Sequence, residues 1–206
     1  MSVGSLISLE EYLNTSYSPD REYRDGVLVE RNVGDQAHAR LQALLAAYLI
    51  LREDEWNIQV YTELRVKVRD KWYPIPDICV YLAPDFQERY PSRPPLLWVE
   101  ILSHDDRIVD VWAKANELIG LGVPYVWIVN PATLESELRT STGVIQVLEK
   151  TLRLPDSPIV VPLTRLKTDN RSHLFWHFGQ KCEERCATSM RRIGVPQFTH
   201  GSPVRW

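Results

Sequence analysis

The spacing of hydrophobic positions changes several times along the chain, and each change marks an element. Ser8-Leu9-Glu10-Glu11 forms a capping box, which predicts a helix running to about residue 16. After the turn at Gly26, "VLVER" alternates and predicts a short strand over residues 27–31. With Asp35 as N-cap, Leu41, Leu44, Leu45, Tyr48 and Leu49 recur at helical spacing, predicting an amphipathic helix that ends near residue 52. Residues 61–68 and 73–82 alternate on either side of "RDK" and predict an antiparallel hairpin.

Past the Pro-rich "APDFQERYPSRPP", residues 96–102 are apolar on both faces, the pattern of a central strand. Ile108, Val111, Trp112, Ala115, Leu118 and Ile119 then follow an i, i+3, i+4, i+7 rhythm, and Gly120 and Gly122 end that helix. "VPYVWIVNP" is again apolar on both faces, so residues 96–129 read as a strand-helix-strand crossover with two parallel buried strands. "GVIQVLEKTLRLP" and "IVVPLTRL" predict edge strands, where Pro155, Pro158 and Pro162 are tolerated. The fold class is therefore α/β, a mixed central β-sheet flanked by helices. One domain is expected over residues 1–180, with residues 181–206 as a loosely ordered tail.

Composition narrows the function classes. The chain has 206 residues, 44% hydrophobic, enough for one sizeable core. Its formal charge of -3 provides no overall basic field, so a nucleic-acid partner has to be held by a local patch. No membrane span and no N-terminal signal pattern is present, and three cysteines are too few for a disulfide framework. A cytoplasmic protein is expected.

Candidate chemistry starts at Glu100, in the middle of the apolar strand "PLLWVEILSHDD". A carboxylate there is paired with a buried cation, bound to a metal, or emerges at the strand end. Asp77, after Pro76 at the start of the preceding strand, reads either as a turn cap or as a second carboxylate at the same sheet end. Two carboxylates at one point repel unless a cation lies between them, and oxygen donors suit Mg²⁺ or Mn²⁺. Lys114 lies on the rim of its helix's apolar stripe, where it either leans over the sheet or pairs with Asp110.

The segments "REYRDGVLVER", "PDICVY" and "PLLWVEILSHDDRIVDVWAKANELIGLGVPYVWIVNP" resemble the Uma-type restriction endonucleases, a bacterial branch of the PD-(D/E)xK nuclease superfamily. The resemblance spans about residues 9–166. It implies a restriction endonuclease-like core and metal-dependent endonuclease activity on DNA, with Asp77 and Glu100 binding Mg²⁺ or Mn²⁺. The superfamily's lysine, two positions after the second acid, is replaced here by Leu102, and Lys114 matches the position from which the Uma-type branch supplies it. Glu22 matches an additional acidic group near the metal, and His38 a helical histidine. The chain departs from the branch at Leu118, near which tyrosine is usual, and at Asn130, where aspartate is usual.

Arg65, Lys67, Arg69 and Lys71 around the hairpin are candidate phosphate contacts, or else a solvated strand face alternating with Val66 and Val68. Two readings compete with the enzyme. One is a catalytically silent nuclease fold used for DNA binding or assembly. The other is a structural zinc site at His173, His177, Cys182 and Cys186, whose spacing falls within loose limits for such a ligand set. A homodimer is the expected assembly for a nuclease that cuts both strands.

Overall fold

The computed structural model describes residues 6–32, 34–83 and 88–168, all within one compact unit, Met1–Thr168. The expected domain boundary at 180, the tail over 181–206 and the His173/His177/Cys182/Cys186 cluster lie outside the described residues. Helix α1 (Leu9–Asn14) is capped as its sequence predicts, with Ser8 Oγ accepting from Glu11 N at 3.0 Å. Strands β1 (Arg21–Arg24) and β2 (Val27–Glu30) then form a tight hairpin. Its turn places Asp25 at φ 51° and Gly26 at φ 90°, a left-handed pair that glycine accommodates without a Cβ penalty.

Helix α2 (Gln36–Ile50) starts on the Asp35 cap and is followed by a single turn, α3 (Glu53–Trp56), which the sequence pattern does not announce. Strands β3 (Ile58–Thr62), β4 (Trp72–Tyr73), β5 (Ile78–Leu82) and β6 (Leu97–Ile101) lead into helix α4 (Ile108–Gly120). Strands β7 (Tyr125–Val129), β8 (Ser136–Thr140) and β9 (Gly143–Gln146) complete a six-stranded sheet of order β3-β5-β6-β7-β8-β9. Only the β6–β7 pair of that sheet is parallel, and α4 crosses between them as predicted. Strands β10 (Thr151–Arg153) and β11 (Val160–Pro162) pair with each other, not with that sheet, and helix α5 (Leu163–Thr168) follows directly.

The expected hairpin over 61–82 is corrected in its middle. Its outer limbs pair as β3 and β5, but residues 63–71 form no continuous strand. The N–H groups of Glu63 and Val66 donate to the carbonyls of Pro76 and Pro74, and neither proline has an N–H to return. The ladder therefore cannot close. Trp72 and Tyr73 pair instead with β1, making a small second sheet of order β2-β1-β4. β1 itself lies in "REYR", too polar and too short to stand out by alternation.

The central sheet is covered on both faces. Leu97, Val99, Ile101, Trp127 and Val129 join α2's Leu41, Leu45 and Leu49 in one apolar cluster. Trp98, Val126 and Ile128 point the other way, into a cluster with Ala115 and Leu118 of α4. The alternation that seats Trp98 under α4 seats Glu100 on the same side. Among the described residues, no helix is long and apolar enough to cross a membrane.

Leu45 is fully buried between α2 and the sheet, whereas Val144 on the edge strand β9 is 48% exposed. Leu45→Ala should lower stability by about 2–5 kcal/mol and Val144→Ala by no more than about 0.5 kcal/mol. Urea unfolding checks both, and the Leu45 variant should move the midpoint without changing the slope.

Candidate active site

The crossover brings two candidate side chains, Glu100 of β6 and Lys114 of α4, to one end of the central sheet. Register Ile78↔Val99 between β5 and β6, continued by one residue, sets Asp77 opposite Glu100. Both line a cavity of about 240 Å³ together with Glu22, His38, Arg31, Leu102 and Lys114. The structure thus gathers Asp77, Glu100, Lys114, Glu22 and His38 at one place.

Glu100 and Glu22 are joined through Lys114. From the middle of α4, Lys114 Nζ reaches Glu100 Oε1 on β6 and Glu22 Oε1 on β1, each at 2.8 Å. The Asp110 pairing open in the sequence is not made; Asp110 pairs with Arg107. Two further donors fix the acids: Trp98 Nε1 donates to Glu100 Oε1 at 2.7 Å, and Ile75 N to Glu22 Oε1 at 3.1 Å. Because both bonds to Glu100 land on Oε1, its Oε2 is left without a hydrogen bond among the described residues. Burial and the neighbouring Asp77 and Glu22 charges push the Glu100 carboxyl above its usual range, against the opposing pull of Lys114. For Lys114, burial favours the neutral amine, but Glu100 and Glu22 together outweigh it and raise its pKa well above the ordinary lysine value. The lysine is a fixed ammonium.

Asp77 is held by three donors. Its Oδ2 accepts from Ile101 N at 2.7 Å and lies 3.2 Å from His38 Nε2, and its Oδ1 accepts from Arg31 Nη2 at 3.1 Å. His38 sits in the first turn of α2, and its hydrogen bond to Asp77 raises its pKa despite burial. A Cβ at position 34 would overlap the His38 ring, so Gly34 provides the close approach that ring needs. Leu102, where the in-strand lysine would stand, donates its N–H to Val129 O at 2.9 Å and packs its side chain beside the α4 cluster.

The four hairpin cations are not brought to the cavity. Arg65 pairs with Asp20 and lies over the Tyr12 ring, Lys67 pairs with Asp70 at 3.1 Å, and Arg69 grips both oxygens of Asp25 at 2.7 Å. Lys71 lines a separate depression with Lys67 and Asp70. Of the two departures, Leu118 is fully buried against the sheet, and Asn130 caps a turn by accepting from Ala132 N and Thr133 N. Two contributors are invisible in the sequence pattern. Trp98 reads as plain core, and Arg31 as the polar end of an alternating strand; only the partners they meet in the fold mark them.

Six carboxylates line the cavity, Glu22, Glu30, Asp77, Glu100, Asp106 and Asp110, against two permanent cations, Arg31 and Lys114. This excess, the hard oxygen donors and the hydrogen-bond-free Oε2 of Glu100 fit a divalent cation such as Mg²⁺ or Mn²⁺. Asp77 is engaged by its own donors, and among the described residues no three His, Cys, Asp or Glu side chains converge as a ready cage. A metal would be held by few protein ligands, in the manner of Mg²⁺, which keeps much of its water.

Comparison with known proteins agrees with this architecture. No curated protein matches the chain. A crystal structure described as that of a putative nuclease belonging to DUF820 from Anabaena variabilis ATCC 29413 superposes with a TM-score of 0.66 at 18% sequence identity. The match covers 79% of this chain and 98% of that one, and it shows a shared restriction endonuclease-like fold. The Uma2 family model, described as "Putative restriction endonuclease", matches residues 9–166. With that span covering the whole central sheet and every residue of the cluster, the chain belongs to the Uma2 family.

Proposed function

We propose that the protein is a metal-dependent endonuclease that hydrolyses phosphodiester bonds in DNA, with Asp77 and Glu100 as metal ligands and Lys114 as the catalytic cation. The observation that carries this reading is the 2.8 Å contact between Lys114 Nζ and Glu100 Oε1, made from a helix where the strand itself offers only Leu102. Mg²⁺ or Mn²⁺ bound at these carboxylates would lower the pKa of an attacking water and offset charge gathering on the phosphate.

In the reaction the water oxygen bonds to phosphorus, the bond from phosphorus to the leaving oxygen breaks, and the leaving oxygen takes up a proton. The Glu100 and Glu22 carboxylates beside Lys114 favour its ammonium form, which suits it to donate rather than to act as a base. It orients the nucleophile or steadies a phosphate oxygen as negative charge grows there. Glu22 aims Lys114 from the other side, and Trp98 holds Glu100 by Oε1 so that Oε2 remains for the metal. His38 and Ile101 N fix the Asp77 carboxylate, which removes the reorganisation a mobile ligand would need.

Asp77→Ala, Glu100→Ala and Lys114→Met should each reduce nicking of supercoiled plasmid in Mn²⁺ by at least about 100-fold. Equal cutting by the wild type and all three variants would identify a contaminating nuclease and defeat the proposal.

Lys114→Met also leaves the buried Glu22 and the partly buried Glu100 without their cation, so urea unfolding in metal-free buffer should show a loss of up to about 3–5 kcal/mol. Adding Glu22→Gln should recover part of that loss, because one of the two opposed charges is gone.

A further inference from the structure

The cavity's two permanent cations are not equivalent. Lys114 is committed to Glu22 and Glu100, both within 2.8 Å and both on packed strands. Arg31, one residue past the end of β2, uses its fork differently. Its Nη1 donates to Glu63 Oε2 at 2.9 Å, and its Nη2 to Asp77 Oδ1 at 3.1 Å. Glu63 is half exposed and lies outside the cavity lining while Asp77 is buried within it, so the guanidinium links a surface acid to the carboxylate that the proposed function assigns to the metal. Glu63 is itself held, since its Oε1 accepts from Gln42 Nε2 at 3.1 Å. The Arg31 side chain retains 19% of its exposure, so one face of it borders the open cavity.

We infer that Arg31 is a phosphate-binding cation of the cleft, and that it caps Asp77 Oδ1 only while no divalent cation is bound there. A divalent cation at Asp77 Oδ1 would compete with the guanidinium for that oxygen and repel it as a like charge, so metal binding there weakens the Arg31 bond and favours its release. With Nη1 anchored on Glu63, release of Nη2 leaves a planar donor at the cavity edge, aimed beside Asp77. The freed Nη2 can then donate a charge-assisted hydrogen bond to a phosphate oxygen. The hairpin cations are poorly placed to bind phosphate at this cleft, because Arg65, Lys67 and Arg69 are each closed against an aspartate outside the cavity. Arg31 therefore takes the role that charge clustering in the sequence suggests for the hairpin. Its action on DNA rests on the nuclease reading, whereas its competition for Asp77 is a property of the free protein.

Three variants separate the two readings: Arg31→Met, Arg31→Lys, which keeps the charge but cannot span both acids, and Asp77→Asn. In calorimetric titration with Mn²⁺ and no DNA, Arg31→Met should bind the ion up to about tenfold more tightly than wild type, and Asp77→Asn should lose most of the affinity. In Ca²⁺, anisotropy of a short labelled duplex should show about tenfold weaker binding by Arg31→Met, with a salt slope shallower by about one. Arg31→Lys should keep the wild-type slope. Unchanged Mn²⁺ affinity in Asp77→Asn would overturn the metal reading on its own. If Asp77→Asn loses the ion but Arg31→Met leaves duplex affinity and salt slope unchanged, the Arg31 assignment fails alone. Weakened Mn²⁺ binding by both Arg31 variants would make Arg31 a mere brace for Asp77 and would also overturn it.

Discussion

A single ammonium group between one buried and one partly buried carboxylate ties the candidate-site end of the sheet together. Lys114 stands on α4, Glu100 on the central sheet and Glu22 on the small sheet, so three separately formed elements meet at one charge. Removing any of these charges from water costs several kcal/mol, and the cost is recovered only if the partners arrive in register. That requirement is strict. It fixes the rotation of α4 about its axis and the position of β1 over the sheet, and the surface pair Arg24–Glu117 repeats the same link one turn farther along α4.

The fold around this charge was largely legible because burial on two faces leaves an unmistakable sequence. Residues 96–102 and 123–129 could only be central strands, and the stripe of α4 could only cover one side of them. Short or one-sided elements were not legible. β1 reads "REYR", β8 reads "SELRT", and neither shows a run long enough to stand out from a loop. The middle of the 61–82 hairpin failed for a different reason: alternation reports side chains, while Pro74 and Pro76 remove backbone donors.

The candidate site divides along the same line. Glu100 stood out as a carboxylate in an apolar strand, whereas Asp77 after a proline and Lys114 on the rim of a stripe are locally ordinary and became candidates through their placement beside Glu100 and through the family resemblance. Arg31 and Trp98 are in place locally, and their roles come from contacts 46 and 2 residues away that neither pattern encodes. The hairpin cations show the converse. Clustered charge in a sequence suggests a field, yet aspartates absorb it in the fold: Lys67 pairs locally with Asp70, while Arg65 and Arg69 pair with Asp20 and Asp25, 45 and 44 residues away.

A lysine borne by α4 is held differently from one borne by the strand. A lysine at position 102 would project from the backbone that also carries Glu100, so the two would move together and their spacing would be set by strand geometry alone. From α4 the ammonium crosses a packed interface, and its position depends on Ala115 and Leu118 seating against Trp98, Val126 and Ile128. Packing error in that cluster is transmitted directly to the charge. Ala115 is buried to 1% exposure and Leu118 is fully buried, so little room exists for α4 to slide. Trp98 then does two things at once: its ring forms the floor under α4, 5.7 Å from Lys114 Nζ, and its N–H fixes Glu100. One side chain thereby couples the seating of the helix to the orientation of the acid, which a strand-borne lysine would not need.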